Sequence, residues 1–211
     1  MNNDHEPVLA VLFARLQAAV TIAFTGDADG TTAVLRNIGS IAGLYVGLPV
    51  VGPGVPRGST IAALSSAPNT VTLSQVPAGA VTAGAFTAGC LTTSRRLKFW
   101  TEVADQPAMF MRHTAAEDEM SGHIGLGRTT IEGEIWLYSK AGQDPNVAPD
   151  IALNQLVKAT RTAFAADNIL QNTCTLGALA YWARIEGRSE YDPGDIDDQS
   201  KAVIPFKILL P

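Results

Sequence analysis

The sequence predicts an α+β fold, a mixed or antiparallel sheet with two helices on one face, into which a small all-β domain is inserted after the first helix. Three observations predict it. Apolar residues recur with helical period near the N-terminus and again after residue 150. Residues 131–138 alternate with the period of two that marks a half-buried strand. Between Thr25 and Thr93 the composition changes: Asp27, Asp29, Arg36 and Arg57 are the only charged residues, and 11 of the chain's 19 glycines fall there.

Residues 7–20 make the first predicted helix. Leu9, Leu12, Phe13, Leu16 and Val20 form one stripe, Asp4 stands at the N-cap, and Pro7 is tolerated in a first turn. Thr21–Phe24 reads as a short connection. The insert, residues 25–92, carries β-branched runs at Thr31–Leu35, Leu44–Val51, Ser59–Leu64 and Thr70–Leu73. The stretch from Gly52 to Gly58 and the run Ser66-Ala67-Pro68-Asn69 are its turns. The body, residues 1–24 and 93–211, resumes with strands at Gln106–Arg112 and Ile131–Tyr138. Ala141–Pro149 is a polar turn region. A helix capped by Asp150 runs to about Ala166, with Leu153, Leu156, Val157, Thr160 and Phe164 as its stripe. Leu179–Glu186 and Lys201–Leu210 are the closing strands, with an acidic loop of Glu190, Asp192, Asp195, Asp197 and Asp198 between them. Pro205 inside the last run predicts a sheet edge or a bulge.

Charged residues are 17% of the chain, below the usual quarter, while hydrophobic residues are an ordinary 46%. Self-association is the simplest cover for a surface so poor in charge. The net charge of -5 offers no footprint for duplex nucleic acid or an anionic membrane. The N-terminal run, broken by Arg15 and Gln17, reads as neither signal peptide nor transmembrane span. Cys90 and Cys174 read as reduced thiols of a cytoplasmic protein.

No catalytic constellation emerges, and the expectation is no enzyme, no cofactor and no metal. His113, Glu117, Asp118, Glu119 and His123 lack regular ligand spacing and read as a solvated loop. Gly125-Leu126-Gly127-Arg128-Thr129-Thr130 lacks the lysine of a phosphate loop and reads as a glycine-rich hairpin. Asp27-Ala28-Asp29-Gly30 lacks the third ligand and distal glutamate of a calcium loop and reads as a turn. Cys174 reads as a small apolar residue before a turn.

One order of features stands out: Thr93-Ser94-Arg95-Arg96-Leu97, Trp100, Gln106-Pro107-Ala108-Met109-Phe110, and Glu132-Gly133-Glu134-Ile135-Trp136-Leu137-Tyr138. Leu153-Asn154-Gln155-Leu156, Thr175-Leu176-Gly177 and Arg184-Ile185-Glu186-Gly187 follow. Over residues 1–24 and 93–211 this order resembles the tail terminator (tail completion) proteins of long-tailed bacteriophages. The insert, through Gly47–Ile61 and Thr70–Ser74, is similar to a small β module of phage virion proteins and departs from the usual terminator plan.

The resemblance implies a virion protein, assembled in the host cytoplasm, that forms a hexameric ring of identical subunits at the head-proximal end of the tail. The ring ends growth of the tail tube protein and meets the head completion or connector protein. DNA passes through its lumen without specific binding, and no membrane is involved. Arg95, Arg96 and the Pro205 strand are the candidate subunit contacts. Asp195, Asp197 and Asp198 are the candidate lumen-facing acids. Another virion subunit, of the tail tube or the connector, is the alternative. A glycan-binding or hydrolytic protein is a more distant one, and the insert's few aromatics, Tyr45 and Phe86, argue against glycan stacking.

Overall fold

The computed structural model describes residues 5–121, 126–140, 150–194 and 199–211. The chain divides into two compact units, residues 1–20 with 92–211 and residues 21–91. Helix α1 (Glu6–Val20) buries Val8, Leu9, Leu12, Leu16 and Val20, while Phe13 is half-buried. Asp4 lies outside the described residues. Thr21–Phe24 is not a connection: the chain passes from α1 straight into a strand, and the β-branched pair Thr21 and Ile22 suits that state.

The insert holds β1 (Thr21–Asp29), β2 (Val34–Leu35), β3 (Val50–Val51), β4 (Ile61–Ser66), β5 (Asn69–Leu73) and β6 (Ala80–Gly89). They form two antiparallel three-stranded sheets, ordered β1-β6-β3 and β2-β5-β4. Leu35, Ile38, Leu48, Val50, Ile61, Val71, Leu73 and Phe86 fill one core, and Phe24 stacks on Phe86 with ring centroids 5.6 Å apart. Thr21 pairs with Gly89, so the two ends of the insert lie side by side. Strand β1 breaks register at Asp27, which bonds Arg36 of the other sheet through both backbone groups, at 2.8 and 2.9 Å. The Asp27 carboxylate accepts the Ala83 N–H at 2.6 Å and the Asn37 amide at 2.6 Å. These bonds hold its pKa below the usual carboxylate value.

In the body, β7 (Thr92–Ser94), β8 (Ala108–Ser121), β9 (Leu126–Lys140), β10 (Trp182–Ile185), β11 (Glu190–Asp192) and β12 (Gln199–Leu210) make one sheet. Its order is β10-β12-β9-β8-β7, with β11 also on β12. All pairs are antiparallel except β7 with β8, so the sheet is mixed. Helix α2 (Ile151–Thr162) buries Leu153, Leu156, Val157 and Thr160 and packs on α1, β9 and β12. The fold class is therefore α+β, as the sequence predicts. The helical face of the sheet is built from Met109, Met111, Ile131, Ile135, Ile204, Phe206 and Ile208, all essentially inaccessible. Phe164, just past α2, meets Phe206 with centroids 6.2 Å apart. On the opposite face Phe110 and Tyr138 are buried with Val103, and the Tyr138 hydroxyl donates to the Lys98 carbonyl at 3.1 Å.

Several local expectations change. Asp150 stands at the N-cap of α2, but its carboxylate accepts the Asn154 side-chain amide at 2.9 Å instead of a first-turn N–H. The helix ends at Thr162 rather than Ala166, because Ala163, Phe164 and Ala165 close tighter bonds to the carbonyls three residues back. Leu179 and Ala180 lie in turns, and β10 starts only at Trp182, because Leu176 and Ala178 adopt left-handed backbone. Ala141–Pro149 lies outside the described residues.

Pro205 is not at a sheet edge and causes no bulge. β12 pairs with β9 without a shift from Gln199 to Leu210, and Pro205 sits opposite Glu134. On its other side β12 pairs with β10 through Phe206–Leu209 and with β11 through Lys201–Val203. The Pro205 carbonyl accepts the Glu186 N–H at 3.2 Å on that second side. In an antiparallel strand the N–H and C=O of one residue point the same way. The missing N–H thus falls at the gap between β10 and β11, and the ladder to β9 loses nothing. Gly187, with φ +120°, covers the proline: a Cβ there would lie 2.9 Å from Pro205 Cγ.

Candidate assembly interface

The two sides of the body sheet end differently. On one side β7 covers β8 only at Ala108–Phe110. From Met111 to Ser121 the outer edge of β8 has no strand beside it among the described residues. Arg112 through Glu119 are exposed along this edge. An unpaired edge of this length presents a row of backbone donors and acceptors ready to pair with another chain. The segment 113–119, expected as a loop, is therefore strand, with a bulge between His113 and Ala115. The His113 ring bonds the Ala115 carbonyl at 2.9 Å across that bulge, and Asp118 accepts the Thr129 hydroxyl at 2.6 Å. His123 and Gly125 lie outside the described residues. Leu126–Thr130, expected as a glycine-rich hairpin, continues as β9 and forms the hairpin's second arm.

On the other side a single bridge, Cys174 to Ala183, lays the segment after α2 along the outside of β10. That segment folds back at Asn168–Thr173. The N–H groups of Asp167 and Asn168 donate to the Thr173 carbonyl at 3.1 and 3.0 Å, and the Thr173 N–H returns a bond to Asn168 at 3.2 Å. The tip of this turn carries Ile169 and Leu170, 90% and 99% exposed. Leu179 and Tyr181 are exposed close by in sequence, beside β10. A rigid turn that holds two large aliphatic side chains in water is the pattern of a contact anchor.

Asp167 makes the turn rigid. Its carboxylate accepts the Thr175 N–H at 2.5 Å, the Thr175 hydroxyl at 2.8 Å, the Gly177 N–H at 3.1 Å and the Arg15 guanidinium at 2.7 Å. Arg15 also donates to the Ala165 carbonyl at 3.1 Å and the Cys174 sulfur at 3.4 Å, tying the segment to α1. Burial opposes ionisation of Asp167, but the bonds from Thr175, Gly177 and Arg15 outweigh it and hold the carboxyl well below its ordinary range. A depressed folded pKa makes the contribution complete above the unfolded carboxylate value, about 4, and lost as pH falls through the folded one. Asp167→Ala is expected to cost about 1–3 kcal/mol at pH 7 in chemical denaturation. The gap to the parent protein should close as the pH is lowered below about 4. A gap independent of pH would remove the charge from this account.

The sequence-predicted site residues are not gathered in one place. Arg95 forms a two-pronged ion pair with Glu6 at the first residue of α1, where a carboxylate also suits the helix dipole. That hydrogen bond lowers the Glu6 pKa. Arg95 is thus paired within its own chain at the surface of the body. Arg96 is exposed, and its N–H donates to the Ser94 hydroxyl at 3.0 Å. Pro205 is interior to the sheet, so its strand cannot supply the edge for which it was singled out. Asp195, Asp197 and Asp198 lie outside the described residues. Of the expected acidic loop, Glu190 and Asp192 form β11, and Asp192 pairs with Lys201 at 3.2 Å.

Asp29 accepts from Thr31 and Thr32 and shapes a turn. Both cysteines are buried thiols, and burial pushes Cys90 up to about 12. Sequence reasoning missed the β8 edge and the Ile169–Leu170 turn. The adjacent pair of aliphatics after a helical stripe was the signal for the turn. No protein-family model and no curated protein matches this chain.

Proposed function

We propose that this chain is a structural virion protein that closes into a hexameric ring of identical subunits at the head-proximal end of a phage tail. There it stops growth of the tail tube and offers a surface to the head completion or connector protein. One observation carries the reading furthest: the body ends in two unlike open surfaces. The bare β8 edge lies on one side of the sheet and the aliphatic turn outside β10 on the other. Unlike surfaces on opposite sides support heterologous, head-to-tail contacts, which close into rings when the rotation permits. The resemblance of the order of sequence features to tail terminators supports the place in the tail.

DNA is a passing cargo in this reading, and Asp195, Asp197 and Asp198 remain its proposed lumen acids. The alternative, a tube or connector subunit, uses the same edges but leaves the contact open-ended. Adding the purified chain to polymerising tail tube protein tests the difference. Tubes capped and arrested in length are expected, and tubes that incorporate the chain along their length would contradict the terminator role.

A further inference from the structure

A depression of about 580 Å³ lies between α2 and β11, lined by Asn154, Val157, Lys158, Arg161, Thr162 and Tyr191. Val157 forms an apolar floor and is buried. Lys158 and Arg161 stand three residues apart on one helical side and are exposed. The Arg161 guanidinium donates to the Tyr191 hydroxyl at 3.3 Å, which holds one cation at the rim. Among the described residues no carboxylate lines the depression. At the opposite side of the sheet the bare β8 edge carries Glu117 and Glu119 on one face and Asp118 on the other. Neither Glu117, Glu119, Lys158 nor Arg161 forms an ion pair with another described residue.

The strand registers show that these charges cannot meet within one chain. Glu119 pairs with Arg128, whereas Tyr191 pairs through Ala202 with Leu137. The run along β9 from Arg128 to Leu137 is about 30 Å, and the step across the sheet from β8 to β11 is about 14 Å. The acid strand and the basic depression therefore occupy opposite corners of the sheet. The acidic side chains of one corner and the basic ones of the other are complementary between copies.

We propose that the α2–β11 depression receives the acidic stretch of β8 from a second copy of this chain, with Glu117 and Glu119 set against Lys158 and Arg161. The proposal gives the ring reading above its subunit contact, and rests on that reading only for closure into six. Such pairing fixes the register of a contact and rejects wrong partners through like-charge repulsion. The exposed Tyr191 at the rim adds the amphipathic surface typical of interface anchors.

Charge exchange tests it on the full chain, with self-association followed by sedimentation and light scattering. Lys158→Glu with Arg161→Glu should weaken association about tenfold or more, and Glu117→Lys with Glu119→Lys should do the same. A one-to-one mixture of the two variants should regain a mixed assembly, because each then supplies one intact complementary pair of surfaces of the opposite sense. Combining all four changes in one chain should restore self-association as well, which also separates loss of contact from misfolding. Association in the parent protein should weaken with added salt. Unchanged association in both double variants, or failure of the four-fold exchange to recover it, overturns the proposed contact while leaving ring formation by other surfaces standing. Loss of duplex DNA binding in Lys158→Glu with Arg161→Glu, with association unchanged, also overturns it and assigns the depression to phosphate.

Discussion

Gly133→Ala is expected to destabilise the body by about 3 kcal/mol, the upper end of what overpacking a core ordinarily costs. Gly133 lies in the middle of β9 opposite Phe206 of β12. A Cβ there would stand 2.3 Å from Phe206 Cζ and 2.6 Å from the Arg112 carbonyl oxygen. The aromatic ring is itself fixed by burial and by Phe164, and the carbonyl belongs to the neighbouring strand, so neither can yield cheaply. The midpoint of thermal unfolding should fall by about 6–12 °C. Gly127→Ala is the internal control, because the nearest atom to a Cβ there is the Glu119 carbonyl at an ordinary 3.8 Å. It should unfold like the parent protein. Equal midpoints for Gly133→Ala and Gly127→Ala would remove the close packing of Phe206 on β9 from this description.

Ile169→Ser combined with Leu170→Ser is expected to leave folding almost unchanged and to weaken self-association by about 100-fold or more. Both side chains project from a turn held by backbone bonds and by Asp167, not by their own packing. Their removal costs the monomer little, within about 0.5 kcal/mol, as at other exposed sites. Burying an aliphatic side chain of this size against a partner contributes about 1.5–3 kcal/mol. Two of them amount to at least about 3 kcal/mol, which is roughly two powers of ten in a dissociation constant. Sedimentation of the double variant across a concentration series reads the effect directly. Unaltered association would show that the turn stays in water in the assembly.

The helical stripes were legible in the sequence because a 3.6-residue period over 12 or more positions has few competitors, and α1 and α2 bury nearly the predicted residues. The alternation in β9 was legible for the same reason: Ile131, Gly133, Ile135 and Leu137 do share the helical face. Strand β6 was not, since its run of Ala, Gly and Thr offers only Val81 and Phe86 as large apolar residues. Its buried face, Gly84, Phe86 and Ala88, holds a single large apolar side chain, too little to mark a strand. Pro205 misled because the sequence shows a missing N–H but not which side of the strand it faces. The pairing of Arg95 with Glu6 was not legible either, since 89 residues separate the two. The candidate interface was the least legible part. An open edge is defined by where β7 stops pairing, and no local pattern in Arg112–Glu119 announces that.

In the proposed assembly, unlike surfaces on opposite sides of this sheet join copies of the chain into a closed ring. Light scattering coupled to size-exclusion chromatography, on the full chain over a range of concentrations, measures this most directly. A plateau at six times the chain mass of 22.2 kDa, with negative-stain images of rings, is the predicted result. A single 22.2 kDa species at every concentration, or filaments of unlimited length, would contradict it.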